Sequence, residues 1–229
     1  MIAALLLPFI QKKTKLSLIK WWCGGLLRAF NIKVVTFGNF PVPNVKGVMF
    51  VANHISWSDI HALNSLIPLR FIAKSDIKNW PVFGYLVQKA DTLFIDRNKR
   101  QEAGRIVEVT AQSLKSGDNL CFFPEGTTTE GTSLEGTRVL PFKGSILQAA
   151  IDANTQVWPV AIKYVNVDGS INTAMAYAGE TTLVESMQQV LMQKNPVVEL
   201  HFLEPIYANG KNRRDLTKIA YEVIVTELA

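Results

Sequence analysis

Only three histidines occur in the 229 residues, and one of them stands five residues before a carboxylate, in Asn53-His54-Ile55-Ser56-Trp57-Ser58-Asp59. A paired His and Asp suit proton transfer. The imidazole takes a proton from a hydroxyl, and the carboxylate fixes its tautomer and stabilises the imidazolium. On a continuous helix, five residues would rotate the two side chains about 140° apart. They meet only if the chain turns between them. Gly47 to Ala52 reads as a buried strand, and Ser56-Trp57-Ser58-Asp59 reads as a helix start with Ser56 or Ser58 as N-cap. A strand-to-helix turn would bring the pair together at the carboxyl end of the strand, where α/β proteins place ligands. Ser56-x-x-Asp59 also fits a capping box, in which Asp59 merely stabilises the helix start. The run alone leaves both readings open.

Four further segments carry groups that suit such a pair. Thr92-Leu93-Phe94-Ile95-Asp96-Arg97 sets a cation just after a strand, and Phe122-Phe123-Pro124-Glu125-Gly126-Thr127-Thr128-Thr129 ends a strand with a carboxylate, a glycine turn and three hydroxyls. Leu140-Pro141-Phe142-Lys143-Gly144-Ser145 adds a second cation ahead of a helix, and Val157-Trp158-Pro159-Val160-Ala161-Ile162 is an apolar strand interrupted by proline. Proline is avoided inside central strands, so Pro159 implies an edge, a bulge or a functional kink. Lys74 and Lys163 are further cations, read as solvated surface rather than anion contacts. A Ser56 nucleophile would want a Gly-x-Ser-x-Gly elbow, and none occurs. His54, Asp59 and His61 lack the spacing of a metal site, so no metal is expected. A non-catalytic lipid binder has no need of the His54/Asp59 pair.

The elements that must position these groups follow from periodicity. Short apolar runs at 34–37, 48–52, 71–73, 92–95, 120–123, 157–162 and 197–203 read as strands. Helical periods fill 60–67, 82–89, 101–115, 146–153, 182–193 and 213–228. The expectation is an α/β domain with a mixed, largely parallel sheet of about seven strands flanked by helices. It spans 38–229, and residues 1–37 form an N-terminal amphipathic helical element. There, Met1 to Ile10 is too short to span a bilayer, and Lys15 to Phe30 mixes Trp21, Trp22 and aliphatics with Lys15, Lys20 and Arg28. This is the pattern of a helix lying in a membrane interface. The net charge of +5 suits an anionic membrane or anionic substrates. The cations form no nucleic-acid-binding motif. Cys23 and Cys121 are far apart and read as buried thiols in a reduced compartment.

In order and spacing the segments resemble the 1-acylglycerol-3-phosphate acyltransferase family of glycerolipid acyltransferases, over roughly Val45 to Ile162. The family's Asn-His-x4-Asp is matched by Asn53, His54 and Asp59, and its Arg after a Phe-Ile-type strand by Phe94 to Arg97. Its Phe-Pro-Glu-Gly-Thr is matched by Phe123, Pro124, Glu125, Gly126 and Thr127, and its proline in an apolar strand by Pro159. Thr128 and Thr129 stand where many members carry Arg-Ser, a variant resembling a branch with lyso-ornithine lipid acyltransferases and some lysophospholipid acyltransferases.

The resemblance implies direct acyl transfer, without an acyl-enzyme and without a cofactor. The chain would pass from acyl-CoA or acyl-carrier protein to a lysolipid hydroxyl. The leading acceptor is 1-acyl-sn-glycerol-3-phosphate, with lyso-ornithine lipid or another lysophospholipid as the alternative. His54 would be the base and Asp59 its orienting partner. Arg97 and Lys143 would bind the acceptor head group. Glu125 would position a glycerol hydroxyl or lock Arg97, and Thr127 would contact the head group or hold the turn. Amides near Gly126 or Gly144 would face the oxyanion. The expected setting is the cytoplasmic face of the cell membrane, in contact with membrane lipids.

Overall fold

A computed structural model describes residues 11–41, 45–79, 83–95, 100–130 and 139–229. The chain runs α1 (Lys12–Ala29), β1 (Lys33–Gly38), β2 (Met49–Ala52), α2 (Ser58–Leu66), β3 (Arg70–Lys74), α3 (Phe83–Lys89), β4 (Leu93–Ile95), α4 (Arg100–Lys115) and β5 (Leu120–Phe122). It continues through a 3-10 turn (Gly144–Leu147), α5 (Gln148–Asp152), β6 (Gln156–Val165), α6 (Leu183–Leu191), β7 (Val197–Phe202), β8 (Ile206–Tyr207) and α7 (Arg213–Leu228). The strand order is β1-β7-β6-β2-β5-β3-β4, with β8 beside β6. From β6 to β4 all neighbours are parallel, whereas β7 and β8 run antiparallel to β6. The mixed, largely parallel sheet expected from periodicity is present. β8 is added, and its two residues are too few to leave a period in the sequence.

The sheet separates two cores, and β2 serves both. Its side chains alternate between faces, as the two-residue strand period requires. Phe50 and Ala52 face a cluster with Leu27 from α1, Phe30 just beyond it, Ala62 and Leu63 from α2 and Val190 from α6. Met49 and Val51 face the other cluster, with Leu114 from α4, Ala149 and Ala150 from α5, and Leu216 and Ile224 from α7. All four β2 residues are fully buried. That is why the strand is an unbroken apolar run rather than an alternating one.

Lys33 to Phe37, expected in the N-terminal element, pairs in parallel with β7 and belongs to the sheet. α1 is an 18-residue helix that buries Cys23 and Leu27 and leaves Trp21 and Trp22 exposed. Among the described residues no helix is long and apolar enough to cross a membrane. Met1 to Ile10 lies outside the described residues.

Pro159 sits within a central strand, paired with Val51. The sheet tolerates it because the other neighbour of β6 changes there. β8 pairs with Gln156 and Val157, and β7 takes over at Val160. The missing N–H falls at this switch, and the Pro159 carbonyl accepts from the Leu203 N–H at 3.0 Å.

Candidate active site

β2 and β5 are parallel neighbours, so the loops leaving their carboxyl ends meet. One loop carries Asn53 and His54, the other Phe123 to Thr129. Asn53 extends the sheet with its side chain. Its amide nitrogen donates to the Ile162 carbonyl at 2.9 Å, and its oxygen accepts from the Ile162 N–H at 2.7 Å. This frees the backbone at 53 from strand geometry while holding it against β6. The chain then turns into α2, and the turn brings His54 and Asp59 together.

The Asp59 carboxylate is fully buried. Its Oδ2 accepts from His54 Nδ1 at 2.7 Å and from the Ile55 and Ser56 amides at 2.8 and 2.9 Å. Asp59 therefore ties the Ser56 N–H at the helix start and also holds the imidazole, but the N-cap of α2 is Trp57, which makes no side-chain cap bond, so the expected Ser56 or Ser58 N-cap and its capping box are not formed. Oδ1 accepts from the Tyr164 hydroxyl at 2.6 Å, which also bonds Ser58 Oγ at 2.7 Å. Burial first, then the neighbouring Asp59 charge, pushes the Tyr164 phenol well above its usual range, so it remains an O–H donor. With Nδ1–H directed at Asp59, His54 Nε2 is the free acceptor, and it has no hydrogen-bond partner among the described residues. The imidazole lies flat on Phe123, with centroids 3.9 Å apart and planes 8° apart, and Phe71 stacks beyond Phe123 at 5.8 Å.

Glu125 is held by the backbone on both sides. It is 1% exposed, and both its oxygens are engaged: Oε1 by the His54 N–H at 2.7 Å and Oε2 by the Leu140 N–H at 2.8 Å. It ties the 139–143 segment to the backbone of the base. Burial raises its pKa from 4.5 to about 7, against the lowering effect of the two amides. The same loop grips His54 from the other side, since the Thr129 N–H donates to the His54 carbonyl at 2.8 Å. Gly126 supplies the turn with φ of 77°, and its N–H donates to the Phe123 carbonyl at 3.1 Å, so that amide is not available to an oxyanion.

The remaining expected residues divide. Pro124 is buried, and its carbonyl accepts from the Lys143 N–H at 2.9 Å. The Lys143 side chain is exposed and lines a cavity with Arg213, Arg214 and Tyr221. Thr127 is exposed and makes no hydrogen bond among the described residues, while Thr128 Oγ1 donates to the Tyr177 carbonyl. Gly144 packs on Thr217 rather than at the base. Phe94 lies in β4 beneath the Lys78 ammonium, 4.6 Å from its ring centre. Arg97 lies outside the described residues. His61 bonds the Trp57 carbonyl at 3.1 Å rather than joining His54, and the described residues contain no cluster able to hold a metal.

Sequence reasoning missed Tyr164. A signal existed: it continues the period-two face of Val160 and Ile162 past the apolar run, placing a phenol at the carboxyl end of the sheet.

An imidazole held by a buried carboxylate, at adjoining strand ends, forms a site suited to taking a proton from a hydroxyl. Comparison with known proteins assigns it. The family model described as Acyltransferase matches residues 33–163. Lyso-ornithine lipid O-acyltransferase of Pseudomonas aeruginosa is 35% identical over 207 residues, covering 90% of this chain and 76% of that protein. The 1-acyl-sn-glycerol-3-phosphate acyltransferase of Neisseria meningitidis is 37% identical over 180 residues, covering 78% of this chain and 68% of that protein. The crystal structure of the 1-acyl-sn-glycerophosphate (LPA) acyltransferase PlsC from Thermotoga maritima shares the fold, with a TM-score of 0.68 at 23% identity, over 98% of this chain and 85% of that one. The chain belongs to the acyltransferase family and is an O-acyltransferase.

Proposed function

We propose that this enzyme moves a fatty acyl chain from a thioester donor, acyl-CoA or acyl-carrier protein, to the hydroxyl of a lysolipid at a membrane surface. The leading acceptor is 1-acyl-sn-glycerol-3-phosphate, yielding phosphatidate, and the alternative is lyso-ornithine lipid. The observation that carries the reading is His54 Nδ1 held at 2.7 Å by the buried Asp59, with Nε2 left unpartnered among the described residues. Nε2 takes the acceptor's hydroxyl proton as the oxygen attacks the thioester carbonyl. Asp59 stabilises the imidazolium, which returns the proton as the thiolate leaves. The Gly126 amide being spent, the Thr127 and Thr128 amides are the donors that this loop offers the oxyanion, since neither has a partner among the described residues.

The exposed Trp21 and Trp22 on α1, a helix that also exposes Lys13, support contact with an anionic lipid surface. Head-group contact at Arg97 is part of the same proposal.

An acceptor panel tests it. Purified enzyme with one acyl-CoA is offered lysophosphatidate, other lysophospholipids and lyso-ornithine lipid. Strong preference for lysophosphatidate supports the leading reading, and preference for lyso-ornithine lipid the alternative. Failure with every acceptor and both donor types contradicts acyl transfer to lysolipids.

A further inference from the structure

The opposite face of the sheet carries a cavity that the mechanism does not use. It has a volume of about 660 Å³ and is walled by Phe142, Lys143, Arg213, Arg214, Lys218 and Tyr221. We infer that it seats the nucleotide of a coenzyme A thioester, its phosphates on the four cations and its base against the aromatic pair. The inference rests on the acyl-transfer reading and names the donor.

Pairing among the described residues does not explain the charges. Lys143, Arg213 and Arg214 have no side-chain partner among the described residues. Lys218 shares a 3.7 Å contact with Glu222, with both side chains well exposed. The Asp215 carboxylate accepts from its neighbour Asn212 at 2.7 Å. Arg213 and Arg214 open α7, at the end of a helix where the backbone dipole disfavours cations. An anion seated between them and Lys143 reverses that penalty, and guanidinium groups suit phosphate oxygens in particular.

The walls are fixed as well as charged. Gly144 approaches α7 so closely that a Cβ there would lie 1.9 Å from Thr217 Oγ1. Phe142 packs edge-on against Tyr221 with centroids 5.1 Å apart, and the Tyr221 hydroxyl donates to the Val139 carbonyl at 3.3 Å. The cavity is an open groove whose volume can take a nucleotide.

Two further relations favour a donor. The cavity wall is continuous with the catalytic loop, because Leu140 binds Glu125 and the Lys143 amide binds Pro124. The Trp-bearing α1 packs in the other core, so lipid contact at α1 and anion contact at α7 lie on different faces of the sheet.

The test is calorimetric binding of coenzyme A and of adenosine 3′,5′-bisphosphate to the full chain. It is run on the wild type, on Arg213→Glu/Arg214→Glu and, as an independent variant, on Lys143→Glu. The expected result is affinity weakened about tenfold or more for both ligands in both variants, as charge-assisted bonds become repulsions. In turnover, the preference for acyl-CoA over acyl-pantetheine, which lacks the nucleotide, falls by a similar factor. Unchanged coenzyme A affinity overturns the inference. So does a loss confined to anionic vesicles or to acyl-carrier protein. Binding needs no acceptor, so the two readings fail separately. Wild-type enzyme that binds coenzyme A here but transfers no acyl group contradicts the proposed function alone. Active enzyme indifferent to the substitutions contradicts this inference alone.

Discussion

Replacing Tyr164 by Phe removes one hydroxyl from the centre of the site and little else. The ring is fully buried, so its packing in the core around Ile162 and Leu200 is retained. What disappears is the donor to Asp59 Oδ1 at 2.6 Å and the partner of Ser58 Oγ at 2.7 Å. A hydrogen bond to a charged group contributes about 1.5–3 kcal/mol. For a chain of this length each kcal/mol corresponds to roughly 2–4 °C, so Tm should fall by roughly 3–12 °C. Asp59 keeps its bonds to the Ile55 and Ser56 amides and to His54, so the carboxylate stays in place but loses one fixed angle. We expect kcat to fall by about tenfold, equivalent to about 1.4 kcal/mol in the barrier, with KM for both substrates nearly unchanged. The assays are thermal melting and steady-state kinetics well below the melting range. A lowered Tm with wild-type kcat would reduce Tyr164 to a fold-supporting residue. Wild-type values of both would refute the reasoning that Asp59 depends on this bond.

Glu125→Gln should alter both stability and its pH dependence. The amide sets an N–H2 against one of the two backbone amides, costing about 1–3 kcal/mol. In the wild type this carboxyl is raised from 4.5 to about 7 by burial, so the folded state holds the proton more tightly than the unfolded chain. Its contribution is therefore greatest below about 4.5 and is lost as pH rises towards about 7. Denaturant melts across that window should show this component in the wild type and not in the variant. Asn53→Ala leaves the Ile162 N–H and carbonyl unpaired where the Asn53 side chain joined β2 to β6. It should cost about 1–3 kcal/mol for each buried group left unsatisfied, read from urea titration.

Much of the site was legible because its parts are local. His54 and Asp59 lie on one strand-turn-helix unit, and Phe123 to Gly126 on the next loop, so sequence order carried their proximity. The parallel core strands announced themselves as unbroken apolar runs. What stayed hidden depends on pairings distant along the chain. Tyr164 reaches Asp59 across 105 residues, and only the register of β6 against β2 brings them together. Glu125 looked like a substrate group because a carboxylate at a strand end suits that role. Only the fold shows two backbone amides bonded to it. Pro159 was expected at an edge, a bulge or a kink, whereas it lies in a central strand where β8 gives way to β7, which only the sheet order shows.

The central claim is that His54 is the base for acyl transfer, and His54→Ala tests it most directly. The variant is assayed with lysophosphatidate and acyl-CoA, beside melting and vesicle-binding controls. The account predicts a fall in kcat of about 10²–10⁴-fold, the usual contribution of a positioned general base. Fold and vesicle binding should be retained, since the imidazole is partly exposed and its backbone bonds to Glu125 and Thr129 survive the change. Acyl transfer at the wild-type rate by a folded His54→Ala enzyme would contradict it.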